Sequence, residues 1–305
     1  MSKTKKQTVG IIGRGFVGNA VAEGLKHAFD VQCYDTRQEL TTTASIKHLC
    51  SLADVVFVCV PTPMKQTGQC DISIIESVIA EINRDGNCTT VVIKSTVPPG
   101  TTEMLNNKFA NSCRNQSGIS AILFNPEFLT EANAVNDFKQ QDRIILGAPE
   151  HATLDSSNVA ASRLDALYET AYPHVKRVWL NTTEAELVKY VTNCYLAMKV
   201  SYSNELYQIC QKIGISYGNV IDAATLDERL GKSFWKVPGP VLVDGKPAFG
   251  FGLSCFPKDI NSLIFKAKEL GVNPTMLEAV WQKNLEVRPQ EQRDWEKMEK
   301  AFKKS

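Results

Sequence analysis

A β-branched run, TVGII (8–12), passes directly into GRGFVG (13–18) and then into apolar residues at helical spacing, Val17, Val21 and Leu25. No other stretch restricts the fold so strongly. A strand that turns on glycine into a helix opens a β-α-β unit, which predicts a parallel sheet with helices on its faces. Gly13 permits the tight turn, Gly15 lets backbone approach a pyrophosphate, and Gly18 permits close packing of helix on strand. A pyrophosphate at this turn lies over the helix N-terminus, where unpaired N–H groups favour anions. Asp35, at the end of the second apolar run, is about twenty residues on, where a carboxylate binds adenosine ribose hydroxyls. Its charge repels a 2′-phosphate, so NAD is expected over NADP, with Arg37 weakening that preference slightly. Taken without its context, GxGxxG is also compatible with a glycine turn that holds no nucleotide.

Further short apolar runs follow: VQCY (31–34), DVVFVCV (54–60), TVVIK (90–94), AILF (121–124) and RIILG (143–147). They are apolar on both faces, as strands of a covered parallel sheet are. The alternation predicts an α/β fold, a Rossmann-type doubly wound sheet over residues 1–180 that binds NAD. After VKRVWLN (175–181) the pattern becomes helical, predicting an all-helical central domain over residues 181–305. One long helix is expected from Thr183 to Gly214, with Thr183 and Glu186 at capping-box spacing. A short helix (218–226), a glycine- and proline-rich loop (231–253) and a helix starting near Pro257 come next. The stretch from Asn273 to Ser305 reads as helical, ending in a solvated lysine-rich tail.

Length and charge narrow the function classes. With 305 residues and a formal net charge of +1, the chain has room for two domains and no basic surface for nucleic acid or an acidic membrane. No apolar run is long enough to span a bilayer, and MSKTKKQTVG lacks the apolar core of a signal peptide. A cytoplasmic protein is expected. The nine cysteines are odd in number and scattered, without a CxxC pair, so free thiols are expected and no metal site.

Two loops fall after strands, on the edge where doubly wound folds bind ligands: VPTP (60–63) and STVPPGT (95–101). NPEFLTEANAVNDF (125–138) sets Glu127 and Glu131 four apart, on one face if helical; they suit acid/base work or water positioning, or merely a solvated helix start. Lys189 and Asn193 share a helix face, and the frame LVKYV desolvates the lysine unless it snorkels to water. In GFGLSCFPKDI (250–260), Cys255 stands just ahead of a helix N-terminus with Lys258 close by. Both features favour thiolate, although a small buried side chain is the ordinary role of a cysteine.

Together GRGFVG, VPTP, STVPPGT, NPEFLTEANAVNDF, ELVKYVTNCYLAMKVSYSNEL and GFGLSCFPKD resemble, in order, the landmarks of the UDP-glucose/GDP-mannose dehydrogenase family. The resemblance implies oxidation of a nucleotide sugar at C6 from alcohol to carboxylate with NAD, through a thiohemiacetal and a thioester on cysteine. It implies Cys255 as nucleophile, Lys189 and Asn193 as oxyanion stabilisers, and Asp259 orienting Lys189 or the hydrolytic water. Thr96 and Glu131 are then expected to hold that water and to border the cofactor. Gly13, Gly15, Phe16, Val17, Gly18, Asp35, Arg37, Pro61, Thr62 and Lys258 are expected around NAD. The sugar nucleotide falls to Glu127, Phe128, Leu129, Lys189, Asn193, Gly250, Gly252 and, across a homodimer built on helix 183–213, Arg229.

UDP-glucose is the first substrate expected and GDP-mannose the second. Three departures from the family are expected to matter: Leu253 replaces the second of the adjacent glycines in GFGGSC, VPGPVLVDGKPAF (237–249) lengthens the preceding loop, and a short form without the usual C-terminal α/β domain is expected. A leucine at that position must distort the loop or fill space beside the substrate. Nucleotide affinity or selectivity is expected to be reduced, or supplied by a partner chain. A β-hydroxyacid dehydrogenase and a catalytically silent nucleotide-sugar-binding subunit are the competing readings.

Overall fold

A computed structural model of the chain describes residues 6–85, 89–110, 118–149, 157–240, 242–243 and 245–303. The apolar runs become β1 (Thr8–Ile12), β2 (Asp30–Tyr34), β3 (Val55–Val58), β4 (Thr89–Ile93), β5 (Ile119–Phe124) and β6 (Arg143–Ala148). With β7 (Lys176–Asn181) they form one seven-stranded sheet in the order β2-β1-β3-β4-β5-β6-β7. Every residue of β3 and β4 is buried, because helices cover both faces. On one side α1 (Phe16–Leu25), α5 (Ala134–Lys139) and α6 (Ser157–Ala171) pack around Leu25, Phe138, Leu164 and Tyr168. On the other, α2 (Ile46–Leu52), α3 (Ser73–Asp85) and α4 (Thr101–Phe109) pack around Leu49, Ile79 and Leu105. This is the doubly wound architecture that the alternation predicts.

The sheet is not wholly parallel. β6 pairs antiparallel with β5 at Phe124↔Gly147, and β7 then runs parallel to β6. The cause is the link between β5 and β6. Its helix α5 has six residues, about 9 Å at 1.5 Å per residue. That is too short to return the chain along a strand of about 20 Å, so β6 starts at the end where β5 stops. The fifteen residues of α6 make the return that the next parallel pair requires.

A helix of 32 residues, α7 (Thr182–Ile213), follows β7 and stops at Gly214, whose φ is +73°. Its reciprocal cap is not Thr183 with Glu186. Asn181 Oδ1 accepts the Glu184 N–H at 2.8 Å, and Glu184 accepts the Asn181 N–H at 3.0 Å. The helix begins directly at the strand end, so the capping pair shifts back by two residues and releases Glu186 for another bond.

The chain divides into two compact units: Met1–Thr62 with Ile72–Lys189, and Pro63–Asp71 with Tyr190–Ser305. In the second, α9 (Cys255–Glu269) and α10 (Thr275–Val287) pack around Tyr190, Phe251, Ile260 and Val280, and α8 (Tyr217–Ala224) packs through Tyr217 and Ile221 against Cys210 and Trp235. It is not entirely helical, since β8 (Leu242–Val243) and β9 (Lys246–Pro247) form a small hairpin within the long loop. Its end is not a solvated tail either. Pro289 forces Arg288 into an extended conformation and ends α10. Beyond it Arg288, Trp295 and Ala301 are buried, Met64 exchanges backbone hydrogen bonds with Ala301 and Lys303 at 2.9 Å each, and Lys303 pairs with Asp71.

Candidate active site

The glycine loop has the shape of a cradle. Gly13 has φ +86°, and a Cβ on Gly18 would lie 1.9 Å from the Gly13 carbonyl oxygen, so neither position admits a side chain. At Gly15 a Cβ would meet nothing within 4 Å. Gly15 is the N-cap of α1, without a side-chain cap and without an acid in the first turn. Nearby, Arg14 Nε is buried with no hydrogen-bond partner. Open space, a helix start without a side-chain cap and a buried guanidinium N–H without a partner all suit a pyrophosphate, with Phe16 and Val17 half-buried at the start of the helix. Asp35 accepts the Arg14 N–H at 2.6 Å and the Arg37 N–H at 2.9 Å. Burial opposes its ionisation, but the Arg37 guanidinium and these N–H groups hold it below the ordinary carboxylate range.

The neighbouring strand ends are tied together. Thr62 Oγ1 donates to the Thr96 carbonyl at 2.8 Å, and Ser95 Oγ to the Val60 carbonyl at 2.7 Å. This fixes the VPTP and STVPPGT loops beside the point where strand order reverses, between β1 and β3. Pro61 is exposed at its tip.

The segment 125–133 is not helical, so Glu127 and Glu131 do not share a helix face. Asn125 and Pro126 leave β5 in an irregular path that buries Glu127, whereas Glu131 is half-buried in the turn before α5. Glu127 meets Lys189 at 2.9 Å, with side-chain exposures of 5% and 3%. Its second oxygen accepts the Leu129 N–H at 2.7 Å, and the Lys189 ammonium lies 5.7 Å from the Phe128 ring centre. Despite burial, Lys189 and that N–H hold Glu127 below its usual range. Thus Lys189 is desolvated and paired rather than snorkelling. Beside them Lys94, fully buried at the end of β4, donates to Asn125 Oδ1 at 2.8 Å. Burial lowers Lys94 to about 8. Sequence reading missed it, although a lysine closing an apolar strand is itself a signal.

Glu186, freed from capping its own helix, accepts the Gly100 N–H at 2.6 Å and the Thr102 N–H at 2.7 Å. It therefore anchors the STVPPGT loop and the start of α4 to α7. Burial pushes its carboxyl from 4.5 up to about 7, against the pull of those donors. A raised carboxyl binds its proton more tightly when folded, so its contribution is fully present at acid pH and declines as pH rises from about 4.5 to about 7. Relative to Glu186→Gln, the wild-type chain is expected to lose about 3 kcal/mol across that window. Urea unfolding of both proteins at several pH values measures the difference, and parallel curves would count against this account.

In the second unit, Cys255 is the first residue of α9, not the residue before it. Ser254 provides no side-chain cap and the first turn has no acid, so the helix end keeps its field for the sulfur. Among the described free cysteines, Cys255 alone is half-exposed, and the other six are buried. Burial pushes Cys50 to about 11 and Cys59 to about 12. Asp259, fully buried, accepts Asn193 Nδ2 at 2.6 Å and also pairs with Lys258. Burial alone would lower the Lys258 ammonium, but Asp259, Cys255 and Cys70 hold it above its ordinary value. Asn193 stands four residues after Lys189 on the unbroken α7. Arg229 lies on a surface turn paired with Asp227, its side chain 88% exposed.

Side chains distant in sequence hold the loop ahead of Cys255. The Gly250 N–H donates to Asn204 at 3.2 Å, and Asn284 accepts the Phe251 N–H at 2.7 Å while donating to its carbonyl at 3.1 Å. Asp294 accepts the Leu253 N–H at 2.9 Å. Gly250 has φ +65°, and a Cβ there would lie 2.4 Å from Asn284. Leu253 occupies the left-handed region itself, with φ +60°.

Sequence comparison matches residues 31–172 to the NAD binding domain of the UDP-glucose/GDP-mannose dehydrogenase family and residues 183–286 to its central domain. The chain belongs to that family. The UDP-glucose 6-dehydrogenase TuaD of Bacillus subtilis is 31% identical over 248 residues, 81% of this chain and 50% of that protein. Among solved structures, a UDP-glucose dehydrogenase from the archaeon Pyrobaculum islandicum is similar at 28% identity and TM-score 0.79, covering 93% of this chain and 69% of that one. A GDP-mannose dehydrogenase from Pseudomonas aeruginosa is similar at 25% identity and TM-score 0.64, covering 92% and 68%. The chain thus spans about half the length of the curated relative it matches. Among the described residues no helix is long and apolar enough to cross a membrane, and no acid, histidine and cysteine cluster could hold a metal ion.

Proposed function

We propose that this chain is an NAD-dependent nucleotide-sugar 6-dehydrogenase that takes UDP-glucose to UDP-glucuronate, with GDP-mannose as the alternative substrate. The observation that carries the reading is Cys255, a half-exposed thiol heading α9 beside the Lys258–Asp259–Asn193 chain. A β-hydroxyacid dehydrogenase has no use for such a thiol.

Gly13, Gly15, Phe16, Val17, Gly18, Asp35, Arg37, Pro61 and Thr62 would hold the cofactor, with Thr96, Glu131 and Lys258 bordering it. When bound, NAD supplies the hydride-accepting chemistry, about two equivalents for each alcohol taken to a carboxylate. Lys189 accepts the hydroxyl proton in the first oxidation after passing its own proton to the paired Glu127, or as the ammonium holds the oxygen that loses it. An aldehyde gives up a second hydride poorly, so the Cys255 thiolate adds to its carbonyl carbon and forms a thiohemiacetal. Lys189 and the Asn193 amide stabilise the oxyanion created by that addition. Asp259, bonded to Asn193 Nδ2, orients that amide. After the second oxidation Thr96 and Glu131 position water for attack on the thioester, which releases Cys255 and the carboxylate. Glu127, Phe128, Leu129, Gly250 and Gly252 would contact the sugar, and Arg229 a neighbouring subunit's substrate.

The exposed residues Val191, Tyr195, Tyr202, Ile209 and Ile213 recur at spacings of four and seven along α7. Such a stripe suits a second copy of the chain, and the molecular mass in solution tests it. For the reaction, purified chain is offered UDP-, GDP- and ADP-sugars, and NADH is measured per sugar consumed. A ratio of about two with UDP-glucose is expected. Binding of NAD with no turnover on any of them would instead favour a silent binding subunit.

A further inference from the structure

Leu253 lies two residues before Cys255 and has φ +60°. A side chain with a Cβ rarely occupies that region, and it persists only where the surroundings enforce it. The enforcing group is Asp294. One of its oxygens accepts the Leu253 N–H at 2.9 Å, and the other pairs with Arg288 Nη2 at 3.0 Å. Arg288 is fully buried and has no freedom to swing away. It also donates to the Phe249 carbonyl at 3.3 Å and to the Gln292 carbonyl at 3.0 Å. Trp295, next in sequence to Asp294, is buried with its ring 5.6 Å from that of Trp281. A Cβ on Gly252 would come within 2.4 Å of both Asp294 and Arg288, so the loop backbone is pressed against the pair itself. Both residues lie beyond the stretch matched to the family's central domain, which ends at 286.

We propose that Asp294 is a positioning residue for the nucleophile: braced by Arg288, it holds Leu253 in the left-handed turn that delivers Cys255 to the head of α9. The inference rests on the reading of Cys255 as the nucleophile. Without this acceptor the leucine relaxes to a negative φ, and the residues that follow no longer start the helix with the sulfur at its head beside Lys258. Glycine at 253 needs no enforcement, because it occupies that region without strain.

The test is the pH profile of Cys255 alkylation by iodoacetamide, quantified on its own peptide in the intact chain, with thermal melting in parallel. In Asp294→Ala, alkylation at pH 7 is expected to slow about tenfold and its midpoint to move to higher pH. In the double variant Asp294→Ala/Leu253→Gly, most of the wild-type rate is expected to return. Asp294→Asn, which can still accept from Leu253, is expected to fall between and serves if the alanine variant does not fold. A lower melting temperature with an unmoved profile, faster alkylation, or a slowed profile that glycine does not rescue would each overturn the proposal. These measurements use no sugar and no NAD. Slow alkylation of the wild-type thiol with an ordinary profile would instead count against Cys255 as the nucleophile.

Discussion

Cys255→Ala is expected to bind NAD normally and to make carboxylate from the nucleotide sugar at least about a thousandfold more slowly than the wild-type chain. NADH released per sugar consumed should fall from about two to about one, because only the step before thiol addition survives. No other described cysteine can take over. The remaining six are buried, and burial holds Cys50, Cys59 and Cys194 above the thiol's ordinary value. Removing one sulfur from a half-exposed helix start leaves no large cavity, so the melting temperature should change little. The readout is single-turnover NADH formation together with mass detection of aldehyde and carboxylate. Carboxylate formed by the variant at the wild-type rate, with about two NADH per sugar, would end the covalent route.

The fold was legible wherever its causes are local. Apolar runs and glycine turns announce β1 to β6, and Gly214, with φ +73°, stops α7 at the predicted position. The antiparallel β6 was missed because its cause is the length of α5, which apolar runs and turn residues do not report. Cys255, Lys189, Asn193 and Asp259, the residues proposed for the reaction, are legible in short motifs. The bonds that brace the loops around them are not: Glu186 reaches across 86 positions to Gly100, and Asp294 across 41 to Leu253. Nothing at either end of such a bond marks the other. The end of the chain reads as a solvated lysine-rich tail because charge dominates its composition, yet Trp295 and Ala301 are buried there. A lone tryptophan behind a helix-ending proline was the available sign. Leu253 shows the same limit in reverse. Its sequence predicts that the loop must distort or the side chain must fill space, whereas the left-handed turn is kept and a distant carboxylate holds it.

Lys189→Met separates what the lysine does for the fold from what it does for the reaction. It leaves Glu127 buried without its closest cation, and breaking a buried pair from one side costs about 3–5 kcal/mol. The lower end is expected, because Lys94 also acts on Glu127. In the wild-type chain Glu127 is held below its ordinary value, so its stabilisation is present above the carboxylate range and is lost as pH falls through the folded value. Methionine cannot hold the charge, so the variant's deficit should be largest near neutral pH and shrink in acid as Glu127 takes up a proton. Adding Glu127→Gln removes the stranded charge and should restore much of the stability, since a neutral pair of similar shape is tolerated where a lone ion is not. Activity should not return. Loss of an oxyanion partner costs about a hundredfold to a thousandfold in turnover, and the double variant supplies no cation in its place. Urea unfolding at acid and neutral pH, set beside NADH formation, reads both quantities. A double variant that regains turnover along with stability would make Lys189 a structural ion alone.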